Sequence, residues 1–348
     1  MAAVKPFAIL GATGYTGELV VEAARELGLP LRLVGRRREA LEAMAVAEDE
    51  IHAADARDGR ALQEAFDGAF AVASLAGPFL AIGDLPVAAA IDRRAHYLDT
   101  SGEQAFARLV YDRYAGRAEA NDLVVLTSFG FDYVPGDLAA RLAADGLEPL
   151  DEVFAAYAVS GMASSAGTRT TIGHVMGQPL VAWEGGRLIQ SRFGASTRTV
   201  AFPFGRRTVV EWSGTEPLTV PRHTQTQRAR SYVRAPRFAA RTARVARFGA
   251  PLIRLTGRIG RGPSAERRAR TQFAVVAQSH GPKGGRRVTL TGRDPYGLTA
   301  LLIAYGAAAL RDGEARSVGT LAPAEAFEPR AFLERLAPLI RLDSEVDL

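Results

Sequence analysis

The sequence predicts an α/β fold: a doubly wound parallel sheet first, then an α+β domain with a mostly antiparallel sheet. Three observations carry this prediction. Short apolar runs at residues 7–10, 31–35, 69–75 and 123–127 alternate with helix-forming stretches, the pattern of parallel strands buried on both faces. Gly11, Gly14 and Gly17 follow the first run directly. From Asp151 onward the chain changes to closely spaced β-rich segments.

The first element is strand, tight turn and helix start. Gly11 permits a turn that a side chain would block, Gly14 lets backbone N–H groups approach a pyrophosphate, and Gly17 lets the helix pack closely on its strand. The turn Gly11-Ala12-Thr13-Gly14-Tyr15-Thr16-Gly17 is therefore expected to bind a dinucleotide of the Rossmann type, with the phosphates at the helix N-terminus. After the second strand comes Gly35-Arg36-Arg37-Arg38, where an NAD-preferring protein usually places Asp or Glu. Arginine instead offers a charge-assisted fork to a 2′-phosphate, so the cofactor expected is NADP(H), held first by Arg36 and then by Arg37. Helix, strand and helix continue through 40–47, 51–54 and 61–66. Asp55 closes the third strand, at the adenine or as a turn cap.

The fourth strand leads into Ala76-Gly77-Pro78-Phe79. Ligands of doubly wound sheets lie beyond the carboxyl ends of the strands, so this loop is expected beside the cofactor, with Phe79 toward substrate. Residues 84–94 predict a helix and 96–98 a strand. Asp99 to Glu103 form a polar turn whose acids cap the helix at 104–120. The strand at 123–127 is followed by Gly130-Phe131-Asp132-Tyr133-Val134-Pro135-Gly136-Asp137, again beyond a strand end.

In the second domain, β segments are expected at 153–159, 188–190, 198–201, 208–212, 272–278 and 287–291, with Gly185-Gly186 as a hairpin turn before Arg187. A helix over 168–178 carries His174, either a structural histidine or one that lines the substrate pocket. Residues 222–270 hold fourteen arginines against one acid, Glu266, which leaves the rest of the chain net acidic. Between Arg234 and Arg247 these arginines recur at helical spacing, opposite Ala239, Ala243 and Ala246. That stretch is either a solvated face or a surface for an acidic carrier protein or an anionic membrane. Asp294 and Pro295 supply a cap and a first-turn proline for an apolar helix over 296–310.

Composition narrows the function classes. With 348 residues, 47% hydrophobic and 23% charged, the chain can build two cores. It has no cysteine, which excludes disulfides and thiolate chemistry, and its five histidines lack ligand spacing, so no metal is expected. Nor is nucleic acid, since the abundance of arginine reflects general usage more than a designed footprint. No apolar stretch of membrane-spanning length occurs, which predicts a cytoplasmic protein that either stays free or sits peripherally on a membrane.

The glycine turn, the Gly77-Pro78-Phe79 loop, the stretch from His96 to Glu103 and the Gly-Phe-Asp-x-Val-Pro-x-Asp stretch at 130–137 together resemble the saccharopine dehydrogenase-like reductases. The branch they look most similar to is the trans-acting enoyl reductases of actinobacterial lipid and polyketide assembly, which Gly167-Thr168-Arg169-Thr170 and Pro221-Arg222-His223-Thr224 also fit. Tyr133 and Gly136 depart from the pattern, standing where the family commonly has serine. The resemblance implies that the C-terminal helix returns to the first domain. The domains are then 1–130 completed by 293–348, and 131–292. It also implies an NADPH-dependent reductase of an apolar, carrier-bound α,β-unsaturated acyl group. Tyr133 and His174 are the catalytic candidates, and Phe79, Phe131, Asp132, Thr168 and Arg169 the substrate contacts. The alternatives are reduction of a C=N bond, with Arg169 clamping a substrate carboxylate, and a non-catalytic NADP(H)-binding regulator. Self-association into a homo-oligomer is compatible with either.

Overall fold

The structure is a computed structural model that describes residues 5–160, 179–235 and 262–348. The chain forms two compact units, one built from residues 1–101, 105–130 and 296–321, the other from 102–104, 131–295 and 322–348.

The first unit is a seven-stranded parallel sheet. Its strands are β1 (Phe7–Leu10), β2 (Leu31–Gly35), β3 (Glu50–Ala53), β4 (Ala71–Ser74), β5 (His96–Asp99), β6 (Val124–Leu126) and β15 (Gly319–Thr320), in the spatial order β15-β6-β5-β4-β1-β2-β3. This is the doubly wound order, with the switch point between β1 and β4. Helices Tyr15–Glu26, Gly59–Phe66, Asp84–Asp92 and Gln104–Glu119 make the crossovers. Their apolar faces bury Leu62, Phe66, Phe106 and Val110 against the sheet, each worth about 1.5–3 kcal/mol for a large side chain. Helix Pro295–Arg311 returns to this unit, as expected: Gly306 lies so close to Leu98 and Phe129 that a Cβ there would stand 2.9 Å from each.

Two expectations are corrected here. The helix after β2 stops at Glu42 instead of running to residue 47, because Arg25 bonds the Met44 carbonyl at 2.9 Å and the Asp49 carboxylate, drawing the chain toward helix Tyr15–Glu26. The tail does not complete the first unit beyond Leu321. Its last strand, β16 (Ile340–Asp347), pairs with a strand of the second sheet, and residues 322–348 go with it.

Among the described residues the second unit is a nine-stranded, mostly antiparallel sheet. It comprises β7 (Glu152–Ser160), β8 (Leu180–Glu184), β9 (Arg187–Ser191), β10 (Thr197–Phe202), β11 (Gly205–Glu211), β12 (Arg228–Arg234), β13 (Gln272–Gly281), β14 (Gly284–Arg293) and β16. The central path runs β10-β11-β12-β7-β13-β14-β16, with β8 and β9 as a hairpin attached to β12. Gly185 and Gly186 form that hairpin turn at φ of 60° and 76°, the conformation glycine supplies without strain. Helices Val134–Ala144 and Glu216–His223 belong to this unit, facing Tyr157 and Ser231 on one side of the sheet. Phe154, Ala156, Tyr232 and Val276 form a core on the other.

Candidate functional site

At the start of the first unit the turn after β1 is tied to β2 by Gly11 N–H and Ala12 N–H, which donate to the Val34 carbonyl at 2.9 and 3.3 Å. Gly11 sits at φ +87° with the Leu75–Ala76 backbone beside it, so neither its conformation nor its space admits a side chain. A Cβ on Gly17 would overlap the carbonyl oxygens of Gly11 and Ala12, which fixes how tightly the helix meets the turn. Gly14 is different: it is exposed, extended at φ −82° and ψ 162°, and meets only the Gly11 oxygen at 3.2 Å. The protein's own packing explains Gly11 and Gly17 but hardly Gly14, whose open face fits close approach of a pyrophosphate. No side chain caps the helix that begins there, which leaves its N-terminus suited to receive an anion. Thr13, Tyr15 and Thr16 are half-buried around this turn, and Tyr15 meets Tyr296 of the returning helix edge-on at 5.2 Å.

Arg36 and Arg37 follow β2 exposed, and no carboxylate occupies the end of that strand. Asp55, half-buried after β3, accepts from Arg57 N–H at 2.9 Å, which is a turn-capping role. Ala76, Gly77 and Pro78 lie beyond β4 at or near the surface, beside the Gly11 turn. Phe79 has a different setting from its neighbours: it opens helix Phe79–Ile82, is 6% exposed and packs on Phe106 at 5.6 Å. Its ring is therefore part of the first unit's core.

At the ends of β4, β5 and β6 lies a polar cluster. Asp99 is fully buried and accepts from Ser101 N–H and Ser128 N–H, both at 2.8 Å. Burial pushes its carboxyl up to about 6, against the pull of those two bonds. Ser74, Tyr97 and Thr127 surround it, and their hydroxyls and the second Asp99 oxygen are buried without a well-formed hydrogen bond. Asp99 is thus more than the helix cap expected: it ties the turn after β5 to the turn after β6.

In the second unit, Phe131 is buried between Tyr157 and Phe273, at 6.1 and 4.6 Å between ring centroids, while Asp132 is exposed. Tyr133 stacks on Trp212 at 6.0 Å, is 2% exposed and directs its hydroxyl to the Ser213 carbonyl at 3.4 Å. Behind this loop is a buried network that the sequence did not single out. Tyr157 hydroxyl accepts from Gly136 N–H at 3.0 Å and donates to Glu216 at 2.6 Å, and Ser231 hydroxyl donates to the other Glu216 oxygen. Burial drives the Glu216 carboxyl up to about 7, despite the Ser231 and Tyr157 bonds that favour its charged form. Next to it Asp137 bonds His223 Nε2 at 2.9 Å and Ala324 N–H at 2.9 Å, and His223 holds its carboxyl below the usual range against the opposing effect of burial. Asp137 and His223 stand in two quoted motifs, which was the available signal. Glu216 had none, because a glutamate before a proline at a helix start looks like an ordinary first-turn acid.

Gly136 is explained by the same network. A Cβ at this position would overlap the Tyr157 hydroxyl and Glu216, so the serine that the resemblance led one to expect has no room here. Thr168, Arg169, His174 and the basic stretch from residue 236 to Arg247 lie outside the described residues, while Arg234 ends β12. Among the described residues no cluster of His, Asp or Glu suits a metal ion, and no helix is long and apolar enough to cross a membrane.

A family model described as NAD(P)H-binding matches residues 11–160. A lipid droplet localized protein of Caenorhabditis elegans is 30% identical over 147 residues, covering 38% of this chain and 34% of that protein. A saccharopine dehydrogenase-like oxidoreductase of Bos taurus is 31% identical over 156 residues, 38% of this chain and 36% of its own. The chain matches about a third of the length of these curated relatives. Among solved structures, apo saccharopine dehydrogenase (L-Glu forming) from Saccharomyces cerevisiae aligns over 99% of this chain and 100% of its own with a TM-score of 0.64, at 13% identity, a likeness of fold. Over its N-terminal part the chain is thus similar to saccharopine dehydrogenase-like oxidoreductases, residues 11–160 match an NAD(P)H-binding domain, and the fold is that of saccharopine dehydrogenase.

Proposed function

We propose that this chain is an NADPH-dependent oxidoreductase that reduces a C=N bond in the manner of the saccharopine type. The observation that carries the cofactor reading is the pairing of an open glycine turn with exposed Arg36 and Arg37 at the end of β2, where no acid stands against a 2′-phosphate. The Gly11–Gly17 turn would hold the pyrophosphate, Arg36 and then Arg37 the 2′-phosphate, Asp55 the adenine end, and Ala76, Gly77 and Pro78 the nicotinamide end. The chemistry that bound NADPH supplies is a hydride from C4 of its nicotinamide. On the substrate, that hydride adds to the carbon of the C=N bond while a proton goes to the nitrogen, giving a secondary amine. We assign Tyr133 as the residue delivering the proton with His174 as the second catalytic candidate, Arg169 as the clamp on a substrate carboxylate, and Asp132 and Thr168 as further substrate contacts. The saccharopine-type names of the relatives and the likeness of fold favour this reading over the enoyl one.

Two measurements test the proposal. Titration should show NADPH binding tighter than NADH, with Arg36→Ala weakening NADPH by roughly 10-fold to 100-fold and leaving NADH unaffected, the value of one charge-assisted contact. Unchanged NADPH affinity would remove the Arg36 assignment. Turnover should then appear with an imine formed from an amino acid and an oxo acid. Turnover with an enoyl thioester alone would shift the reading to C=C reduction, and turnover with neither would favour a cofactor-sensing regulator.

A further inference from the structure

The second unit contains a cavity of about 620 Å³, opening over β9 to β12 and the start of β7. Its wall is built from charged side chains whose accounts do not balance. Glu152 is taken up by a two-pronged bond from Arg198, at 2.8 and 3.2 Å. Glu211, 3% exposed, accepts from Ser191, from Ser196 at 2.5 Å and from Arg230 at 3.2 Å, so its acceptor capacity is filled from within the protein. Neither carboxylate is left to receive a cationic ligand. Two further guanidiniums, of Arg192 and Arg228, line the same cavity exposed. Among the described residues Arg192 has no ion pair, and Arg228 bonds only a backbone oxygen, that of Asp151, through Nε at 3.4 Å.

The cavity is also unsuited to an apolar guest. The aromatic ring in its wall, that of Tyr232, is covered by the Arg198 guanidinium at 4.7 Å from the ring centroid. What remains available is a surplus of planar N–H donors around a space larger than one inorganic ion. Oxyanions match that surplus best, because a carboxylate or phosphate presents paired oxygens at the spacing of a guanidinium fork.

The geometry points to a binding site for a small organic oxyanion, held by Arg192 and Arg228 in the β9–β12 cavity. All of its residues belong to the second unit, and the proposal is independent of the cofactor reading. It is tested by calorimetric titration of the full chain with inorganic phosphate and with citrate, each against sodium chloride at matched ionic strength. Saturable binding of phosphate alone assigns a phosphate-bearing ligand, binding of citrate alone a polycarboxylate, and binding of both the shared chemistry. In each case Arg192→Gln with Arg228→Gln should weaken binding by about tenfold or more, while Arg187→Gln with Arg206→Gln, two exposed arginines of the same unit outside the cavity, should leave it unchanged. All four positions are exposed, so folding is not at stake. The proposal is overturned if neither anion binds saturably, if the first pair of substitutions has no effect, or if the control pair weakens binding equally.

Discussion

Glu216 offers a test of the buried network that needs no knowledge of substrate. Its carboxyl rises from 4.5 to about 7 on folding, chiefly because burial penalises the charge. The folded state therefore holds the proton more tightly than the unfolded chain. The stability tied to this group is fully present below pH 4.5 and is lost as pH rises through about 7. At about 1.36 kcal/mol per unit, the shift corresponds to roughly 3 kcal/mol between acid and alkaline conditions. Glu216→Gln keeps the shape, gives Tyr157 an acceptor and Ser231 a donor, and cannot ionise. The variant should match the wild type near pH 4.5 and exceed it in stability by up to about 3 kcal/mol at pH 8, with the slope between removed. Both tryptophans, Trp183 and Trp212, lie in the second unit, so urea unfolding followed by their emission reports on this unit alone. An equal pH slope in wild type and variant would refute the argument and assign the slope to other groups.

Three further outcomes are expected. Tyr133→Phe should lower turnover by roughly 10² while NADPH affinity stays constant, whereas full activity would leave Tyr133 only its packing on Trp212. Gly17→Ala should cost ~1–3 kcal/mol or more in thermal unfolding through backbone overlap, but Gly14→Ala, in an extended conformation with one neighbour at 3.2 Å, should fold normally and lose NADPH affinity; normal NADPH affinity in Gly14→Ala would move the pyrophosphate elsewhere. Charge reversal at Arg237 and Arg241 should weaken binding to an acidic carrier protein or to anionic vesicles, and added salt should do the same; binding insensitive to both would leave a solvated face.

The parts of this fold that were legible in the sequence are those whose causes are local. The Gly11 turn is written in adjacent residues, the Gly185-Gly186 hairpin requires two positive φ values in a row, and the parallel strands announce themselves as short apolar runs. The strands that escaped detection have their alternation masked. In β12, Ala229, Ser231 and Val233 form one face, but Arg228, Arg230 and Arg234 sit on the other amid a run of arginine that looks like a basic surface segment. Only in the folded unit do Arg230 and Tyr232 meet Glu211 and Ser196, turning that stretch into a cavity wall. The tail was assigned to the wrong unit for a similar reason, since the pairing of β16 with β14 joins residues far apart in sequence.

The candidate site divides along the same line, and Gly136 marks the division. From sequence it is a departure from the pattern that the resemblance implies. In the structure the Tyr157 hydroxyl fills the space a side chain would take, accepts from Gly136 N–H and continues to Glu216 and Ser231. The hydroxyl beside this loop comes from β7, with a carboxylate behind it that burial makes ready to change charge near neutrality. A one-residue reading could not find this, because the group that fills the space at Gly136 enters from a different strand. The same hydroxyl lies 3.2 Å from the carbonyl of Tyr133, which competes with Glu216 for its one proton, so the protonation of Glu216 and the position of the loop assigned to substrate are physically linked. Any pH dependence of substrate binding on that loop should therefore follow Glu216, and should vanish in Glu216→Gln together with the stability slope.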